Sequence, residues 1–134
     1  MDLARYIGLP YADKGRGPDS FDCWGLVRLF YAEQFGIVLP SHLGDYESAK
    51  HQHEVSALIE REKQAGKWFE VPAPMFGDLV SMRIAGQPWH VGIALGDGRM
   101  LHTMKRHESV IESHTSRLWA KRIDGYFRHV AASA

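Results

Sequence analysis

The side chains best suited to covalent chemistry are one thiol and two imidazoles. Cys23 is the only cysteine in the chain, and the apolar residues that follow it at helical spacing predict a helix beginning there. His90 and His102 lie on either side of a predicted hairpin turn. A thiol nucleophile needs a neighbouring base and a third group that orients the base. These three residues therefore indicate a cysteine peptidase or a close relative of one.

The start of a helix is a favourable place for a reactive thiol. Sulfur attacks as the thiolate, and the unpaired N–H groups and the dipole of a first helical turn favour an anion. Asp22 and Ser20 are both suited to cap this turn, and a nearby imidazolium would stabilise the thiolate further. The same N–H groups can hold the oxyanion of a tetrahedral intermediate. By its position alone, however, Cys23 is more typical of a buried core residue, because free cysteine is among the most buried residue types.

The register of the predicted hairpin decides whether the two histidines meet. Gly96-Asp97-Gly98 fits a three-residue loop in which Gly98 adopts the left-handed conformation, and this loop pairs Gly92 with His102. His90 and His102 then lie diagonally on one face of the hairpin, within side-chain reach of each other. A two-residue loop would instead place them on opposite faces.

Each histidine then has an expected role. We expect His90 to act as general base and acid, and His102 to fix the ring and tautomer of His90 through a hydrogen bond. The alternative is that His102 is a half-buried strand histidine without a catalytic role. The opposite face of the hairpin is apolar and is predicted to be core, whereas the histidine face has two small residues that would let another element approach. The apolar face carries Val91, Ile93, Leu95 and Leu101, and the histidine face carries Gly92 and Ala94.

Helices precede strands in the predicted order of elements. The predicted helices are Asp2–Ile7, Cys23–Phe35 closed by Gly36, His51–Ala65 ended by Gly66, and a turn or two within Thr115–Lys121. The predicted strands are Asp78–Ile84, Trp89–Leu95, Met100–Met104, Val110–Ile111 and Tyr126–Val130, and the predicted loops are Gly8–Asp22 and Ile37–Ser48. This order predicts an α+β fold in which an antiparallel β-sheet packs against the Cys23 helix. The length suits one domain over residues 1–134.

The composition argues against several classes of partner. Lysine plus arginine equals aspartate plus glutamate, at 16 each, so the overall charge predicts no nucleic-acid partner. No apolar run approaches the roughly 20 residues of a membrane span, so no membrane insertion is expected. The first residues lack the basic and apolar regions of a secretory signal. A single cysteine gives poor support for a structural zinc site, and we expect no metal and no cofactor.

Five segments occur in order at suitable spacing along the chain. The first is Gly8-Leu9-Pro10-Tyr11 followed by Gly15, Gly17 and Phe21-Asp22-Cys23-Trp24-Gly25-Leu26-Val27. The others are Gly36-Ile37-Val38-Leu39-Pro40, Gly77-Asp78-Leu79-Val80, His90-Val91-Gly92-Ile93, and Leu101-His102. In these segments the chain resembles the NlpC family of papain-like cell-wall cysteine peptidases, from Gly8 to about Val130. The resemblance implies a papain-like cysteine peptidase fold, with N-terminal helices and the nucleophile helix packed on an antiparallel β-sheet.

The resemblance also implies site residues and a reaction. It implies a catalytic set of Cys23, His90 and His102, in which the cysteine forms an acyl-enzyme and His90 protonates the leaving amine. It implies that the Tyr11 hydroxyl lies near the thiol, and that Asp22 helps recognise the free amine of a peptidoglycan stem peptide. The implied reaction is hydrolysis of a stem-peptide amide, commonly the bond between the γ-carboxyl of D-glutamate and diaminopimelate.

Trp24 departs from the serine that many family members have directly after the catalytic cysteine. The Asp-Cys-Trp-Gly-Leu form in a compact chain resembles the branch of the family that is encoded with phage tails. Trp24 is therefore expected to contact substrate and to narrow or reshape the pocket beside the thiol. The branch implies other phage tail-tip proteins as partners, synthesis in the host cytoplasm without a signal peptide, and incorporation in the virion tail.

Two other functions stay open from the sequence. The first is a structural tail-tip subunit that keeps the peptidase fold but has little or no catalytic role. The second is an acyltransferase or amidase that uses the same thiol and histidines, which only product analysis separates from a peptidase.

Overall fold

The computed structural model describes residues 3–42, 60–84, 87–104 and 107–132, with residues 84 and 87–89 described by their backbone alone. A 3-10 turn, Ala4–Tyr6, is followed by helix α1, Cys23–Phe35, and later by residues 60–64, which are also helical. The remaining elements are strands β1 (Trp68–Val71), β2 (Leu79–Ile84), β3 (Gln87–Ala94), β4 (Arg99–His102) and β5 (Val110–Ser113), helix α2 (Arg117–Ala120) and strand β6 (Ile123–His129).

The strands form one six-stranded antiparallel sheet in the order β1-β6-β2-β3-β4-β5. Five of its strands match the predicted ones, with ends that differ by a few residues. Strand β1 was not predicted, because its buried residues do not alternate and its partner β6 is distant in sequence. Most of the predicted helix His51–Ala65, and the end of the predicted loop Ile37–Ser48, fall outside the described residues.

Helix α1 has the predicted bounds, and its ends explain them. The Asp22 side chain accepts a hydrogen bond from the Gly25 N–H, which caps the first turn. Gly36 closes the helix in the left-handed conformation with φ of 66°. Between these ends, seven residues of α1 are buried. All of these except Gly25 form the main core with one face of the sheet, which includes all four predicted core residues of the hairpin, Val91, Ile93, Leu95 and Leu101.

The other face of the sheet is covered as well. Ala94 lies there in a second apolar cluster with Met100, and Trp119 of α2 packs on them. Ala94 on the histidine face therefore accommodates another element, α2, whereas the space beside Gly92 is filled by His102 and Met82. The sheet is buried on both faces where the histidines lie. No helix in the described part of the chain is both long and apolar enough to cross a membrane.

Candidate active site

The thiol of Cys23 lies at the first residue of α1 and against strand β3. The backbone N–H groups of Val91 and Trp24 both hydrogen-bond to the sulfur. Val91 directly follows His90, so this contact brings the thiol beside the backbone of the predicted base. Only 7% of Cys23 is exposed to solvent.

Burial dominates the acidity of this thiol. Burial, followed by the negative charge of Asp22, raises the pKa of Cys23 from 9.0 to about 12. The two N–H donors and the Arg16 guanidinium lower the pKa but do not compensate. The helix start thus contributes the expected donors, but in this closed site the group is a neutral thiol. A resting thiolate, which the helix start alone would favour, is not what this environment stabilises.

The hairpin has the predicted three-residue loop. Ile93 pairs with Leu101, and the Leu95 N–H donates to the Arg99 carbonyl at 2.9 Å, which is the expected register. Consequently His90 and His102 lie on the same face, with 2.9 Å between His90 Nε2 and His102 Nδ1. The contact between the two imidazoles is confirmed.

A third side chain, Glu112 of β5, extends this row. Its Oε2 lies 2.6 Å from Nε2 of His102. An ionised carboxylate only accepts hydrogen bonds, so His102 donates from Nε2 and accepts at Nδ1 from the His90 Nε2–H. In neutral His90 this leaves Nδ1 with its lone pair free to take a proton. Sequence reasoning missed Glu112, because its position depends on how β5 pairs with β4 across a long loop.

Both histidines of the row are held neutral by burial. Burial, followed by the neighbouring His102, lowers the pKa of His90 from 6.5 to about 3. Burial also lowers the pKa of His102, against the opposing effect of Glu112. The Trp119 indole lies over the pair, with its centroid 6.3 Å from that of His90 and 5.2 Å from that of His102. A neutral His90 is the form that can accept a proton from the thiol.

The Asp22 side chain binds to other groups of the nucleophile segment and does not project into a pocket. Its Oδ1 accepts from the Gly25 N–H at 2.8 Å and lies 2.7 Å from Nη1 of Arg16. Both side chains of this ion pair are buried, with 1% of Asp22 and 8% of Arg16 exposed. Arg16 was not singled out from the sequence, although its guanidinium lowers the pKa of Cys23. Its loop position gave no signal of a buried ion pair.

Tyr11 lies on the same side of the site as the thiol. Its hydroxyl donates to Asp13 Oδ1 at 3.2 Å. Burial raises the pKa of Tyr11, and the charges of Cys23, Asp13 and Asp22 add to that rise. The structure therefore brings the Tyr11 hydroxyl within electrostatic range of the thiol.

The structure does not place Trp24 at the solvent-exposed surface of the site. Only 3% of the residue is exposed, and its Nε1–H donates to the Pro40 carbonyl at 2.8 Å. The indole belongs to the main core and makes an edge contact with the His42 ring. In this structure Trp24 acts on its surroundings through packing, and a direct contact with substrate stays a prediction.

No three histidine, cysteine, aspartate or glutamate side chains converge on a possible metal position within the described ranges. The polar side chains of the site instead form one hydrogen-bonded row of His90, His102 and Glu112, and the Cys23 sulfur contacts the backbone N–H of Val91, the residue after His90.

The NlpC/P60 family matches residues 8–128 of the chain, which includes every residue of this row. The chain belongs to the NlpC/P60 family. This family consists of papain-like cell-wall peptidases, and a phage tail-tip assembly protein is among its members that resemble the chain. The resemblance inferred from the five sequence segments is thereby confirmed.

Similar proteins in the family include a phage tail-tip assembly protein and a murein endopeptidase. The chain is 33% identical over 103 residues to Tail tip assembly protein K of Escherichia phage N15, a match that covers 75% of this chain and 42% of the relative. It is 29% identical over 119 residues to Murein DD-endopeptidase MepS/Murein LD-carboxypeptidase of Escherichia coli strain K12, covering 89% and 55%. A third match, Protein P54 of Enterococcus faecium, is 29% identical and covers 79% and 17%. The chain thus spans about half or less of these relatives.

Solved structures show the same architecture. The NlpC/p60 domain of peptidoglycan hydrolase SagA superposes with a TM-score of 0.63 at 25% identity, covering 93% of this chain and 91% of that one. An NLP/P60 family protein from Staphylococcus aureus superposes with a TM-score of 0.64 at 27% identity, covering 94% and 38%. The predicted papain-like α+β fold, with its nucleophile helix on an antiparallel sheet, is confirmed.

Proposed function

We propose that this chain is a cysteine endopeptidase that hydrolyses peptidoglycan stem peptides. The observation that carries the proposal is the row in which His90 is hydrogen-bonded through His102 to Glu112, with the Cys23 sulfur on the N–H of Val91, the residue next to His90. Membership of a family of cell-wall peptidases supports the substrate class. Cys23, His90 and His102 are its catalytic residues, and Glu112 is a positioning residue.

The hydrogen bonds of the row favour proton transfer from the Cys23 thiol to Nδ1 of His90. When substrate binds, Nδ1 of His90 takes the thiol proton and Sγ of Cys23 attacks the scissile carbonyl carbon. N–H groups of the first turn of α1 stabilise the oxyanion. His90 then gives its proton to the leaving amine as the C–N bond breaks, which leaves an acyl-enzyme. In the second half of the cycle His90 takes a proton from the water that attacks the thioester carbon, and it returns this proton to Sγ of Cys23 as the C–S bond breaks. His102 and Glu112 keep the lone pair of His90 directed at the thiol throughout.

The names of relatives support the choice of bond. MepS is named a murein endopeptidase, and another relative, 29% identical, is named Gamma-DL-glutamyl hydrolase of Bacillus subtilis. We therefore assign the amide between the γ-carboxyl of D-glutamate and diaminopimelate as the scissile bond. The charges of Tyr11 and Asp22 both interact with that of the thiol, which supports binding of the acyl side of that bond against these two residues.

The test uses purified protein and a stem tetrapeptide, L-Ala–γ-D-Glu–diaminopimelate–D-Ala, with mass spectrometry of the products. We expect release of L-Ala–D-Glu by the wild type and no release by Cys23→Ala, His90→Ala or His102→Ala. His114→Ala is the matched control, because His114 is a buried histidine that contacts Tyr126 and not the row. Normal turnover by folded Cys23→Ala protein would refute the proposal. Transfer of the acyl group to an added amine, in preference to water, would identify an acyltransferase instead.

A second candidate function is a structural subunit of a phage tail tip. The match to Tail tip assembly protein K and the buried thiol, whose pKa is raised to about 12, both favour it. This function predicts a tight complex with other tail proteins, and phage that still assemble and infect when Cys23 is replaced. An infection defect confined to the Cys23, His90 and His102 variants, with normal particles, would exclude a purely structural role.

A further inference from the structure

A buried cation, Arg16, lies in the loop that precedes α1 and is held there by backbone carbonyls. It donates from Nε to the Ser41 carbonyl at 2.9 Å and from Nη1 to the Gly15 carbonyl at 3.1 Å. The same Nη1 lies 2.7 Å from Oδ1 of Asp22. A guanidinium is a rigid fork of donors, so hydrogen bonds to acceptors in several directions fix its position. The positive charge of Arg16 is therefore fixed beside the residue that caps α1.

The carboxylate that Arg16 binds has two opposite effects on the nucleophile. Oδ1 of Asp22 accepts the Gly25 N–H and so caps the first turn of α1. Asp22 also directly precedes Cys23, and after burial its negative charge is the next influence that raises the pKa of the thiol. The sulfur attacks only in its negatively charged form. The cap thus orders the start of the helix but opposes the reactive form of the sulfur.

Arg16 offsets the second effect without removing the first. Its guanidinium lowers the pKa of the thiol, in the sense opposite to Asp22. The two side chains are 8% and 1% exposed, so little water screens either charge. Tyr11 of the same loop and His90 of β3 also lie near, but both are neutral at rest because burial raises the pKa of Tyr11 and lowers that of His90. The balance of charge at the sulfur therefore depends on Arg16 and Asp22.

We propose that Arg16 is a positioning residue for the nucleophile: its guanidinium holds the Asp22 cap and cancels the charge of that cap at the sulfur. When Cys23 gives up its proton, the negative charge that develops on Sγ does not face an uncompensated carboxylate. The fixed cation needs no rearrangement at that moment. The expected effect on turnover rests on the proposed peptidase function, whereas the effect on the thiol itself does not.

Alkylation of Cys23 by iodoacetamide at pH 8, followed by mass spectrometry, measures the charge effect without substrate. A change of one unit in the thiol pKa changes the thiolate fraction tenfold. We expect Arg16→Gln to react about tenfold more slowly than the wild type, and Arg16→Lys to react at nearly the wild-type rate. Asp22→Asn should react faster, because asparagine still caps a helix but carries no charge. The double variant Arg16→Gln/Asp22→Asn should return close to the wild-type rate, since both charges are removed together.

Arg128→Gln is the matched control for the loss of a buried ion pair. Arg128 binds Asp78 at 2.8 Å, with 21% and 4% of the two side chains exposed, away from the thiol. Its replacement should lower the free energy of unfolding and leave the alkylation rate unchanged. A purely structural role of Arg16 has the opposite sign from the proposal, because a loosened loop exposes the thiol and speeds its alkylation.

Turnover gives the second measurement. With the stem tetrapeptide, Arg16→Gln should lower kcat about tenfold with little change in KM, and Arg16→Lys should restore it. An Arg16→Gln alkylation rate equal to or above that of the wild type, or a double variant as slow as Arg16→Gln, would overturn the proposal. If Arg16→Gln does not fold, the double variant decides, because it leaves no buried charge unpaired and must react about tenfold more slowly than Asp22→Asn. A protein that cleaves no tetrapeptide but shows these alkylation rates would refute the peptidase and leave the role of Arg16 intact.

Discussion

Two opposing influences act on the thiol of Cys23. The first turn of α1 and the Val91 N–H favour the thiolate, whereas burial and the adjacent Asp22 favour the neutral thiol. The balance lies with the neutral form, since the pKa rises to about 12, and His90 is neutral as well because its pKa falls to about 3. Both groups are therefore neutral at rest and do not form an ion pair. Proton transfer becomes part of the reaction with substrate.

This neutral resting state predicts that the Cys23 thiol reacts slowly with alkylating reagents. A pKa near 12 in place of 9.0 lowers the thiolate fraction at pH 8 about a thousandfold. We expect iodoacetamide to alkylate Cys23 in the folded protein at least about a hundredfold more slowly than in urea-unfolded protein, because only the thiolate reacts. Mass spectrometry of timed samples at pH 8 measures both rates. A folded-state rate equal to the unfolded one, or a rate that is half-maximal below pH 8, would contradict a buried neutral thiol.

Replacement of Glu112, at the far end of the row, is predicted to have a specific kinetic effect. Glu112→Gln keeps the size and an acceptor oxygen but removes the charge that stabilises an imidazolium during proton transfer. We expect kcat on the tetrapeptide to fall by about tenfold to a hundredfold, with little change in KM. The charge also raises the pKa of His102, so the acidic limb of the pH–kcat profile should move to lower pH in the variant.

Glu70→Gln is the matched control for that experiment. Glu70 is an exposed glutamate of β1, and β1 and β5 are the two opposite edge strands of the sheet. It should leave both kcat and the pH profile unchanged. If Glu112→Gln changes stability alone and its profile superposes on that of the wild type, Glu112 has only a structural role.

Among the helices and strands, the features predicted correctly are those determined by residues close together in the sequence. The bounds of α1 follow from a capping aspartate, apolar residues at helical spacing and a closing glycine, all within one short segment. The histidine contact follows from one three-residue loop, because loop length fixes the register and the register fixes the face. Both are local in sequence, which explains why the core of the site could be predicted.

What could not be predicted depends on contacts between distant segments. Strand β1 forms only by pairing with β6, and its buried ends do not show the alternation of a half-buried strand. Glu112 meets His102 through the register of β4 with β5, which the loop sequence between them does not specify. The buried ion pair of Arg16 with Asp22 requires a Gly- and Pro-rich loop to fold onto the start of α1.

The contact of that loop with α1 gives an element-scale prediction. A Cβ on Gly25 would lie 2.0 Å from the Gly15 carbonyl oxygen, so a side chain there forces the loop away from the helix. Alanine is preferred over glycine inside a helix by about 1 kcal/mol, but overpacking costs about 1–3 kcal/mol. Here the clash is with backbone, so we expect Gly25→Ala to lower the free energy of unfolding.

Urea denaturation measures that change, and the alkylation rate of Cys23 reports whether the loop has moved. The thiol should react faster in the variant. Ala32→Gly, at an exposed position of α1, is the control for an alanine–glycine exchange without a clash, and should leave the alkylation rate unchanged. Stabilisation by Gly25→Ala with an unaltered thiol would mean that loop and helix are not in contact in solution.

At the scale of the whole molecule, the histidine row is enclosed from both sides. The main core with α1 lies on one face of the sheet, and Trp119 of α2 covers the other. Water is largely kept from His90 and His102, which are 6% and 2% exposed. The fold therefore holds both imidazoles where they cannot readily take up a proton from solvent. Protonation of these histidines is thus linked to the free energy of unfolding of the domain.

That coupling predicts destabilisation in mild acid. The pKa of His90 is about 3 in the folded protein and near 6.5 when unfolded, so between these values the unfolded chain binds a proton that the folded chain does not. The free energy of unfolding should accordingly fall as the pH drops below 6.5, with His90 contributing up to about 1.4 kcal/mol per pH unit. Urea denaturation at intervals from pH 7 to pH 4.5 measures the slope. His90→Gln should have a shallower slope than the wild type. Parallel slopes for His90→Gln and wild type would show that His90 gains its proton as freely in the fold as out of it, and the neutral base assigned to it would be wrong.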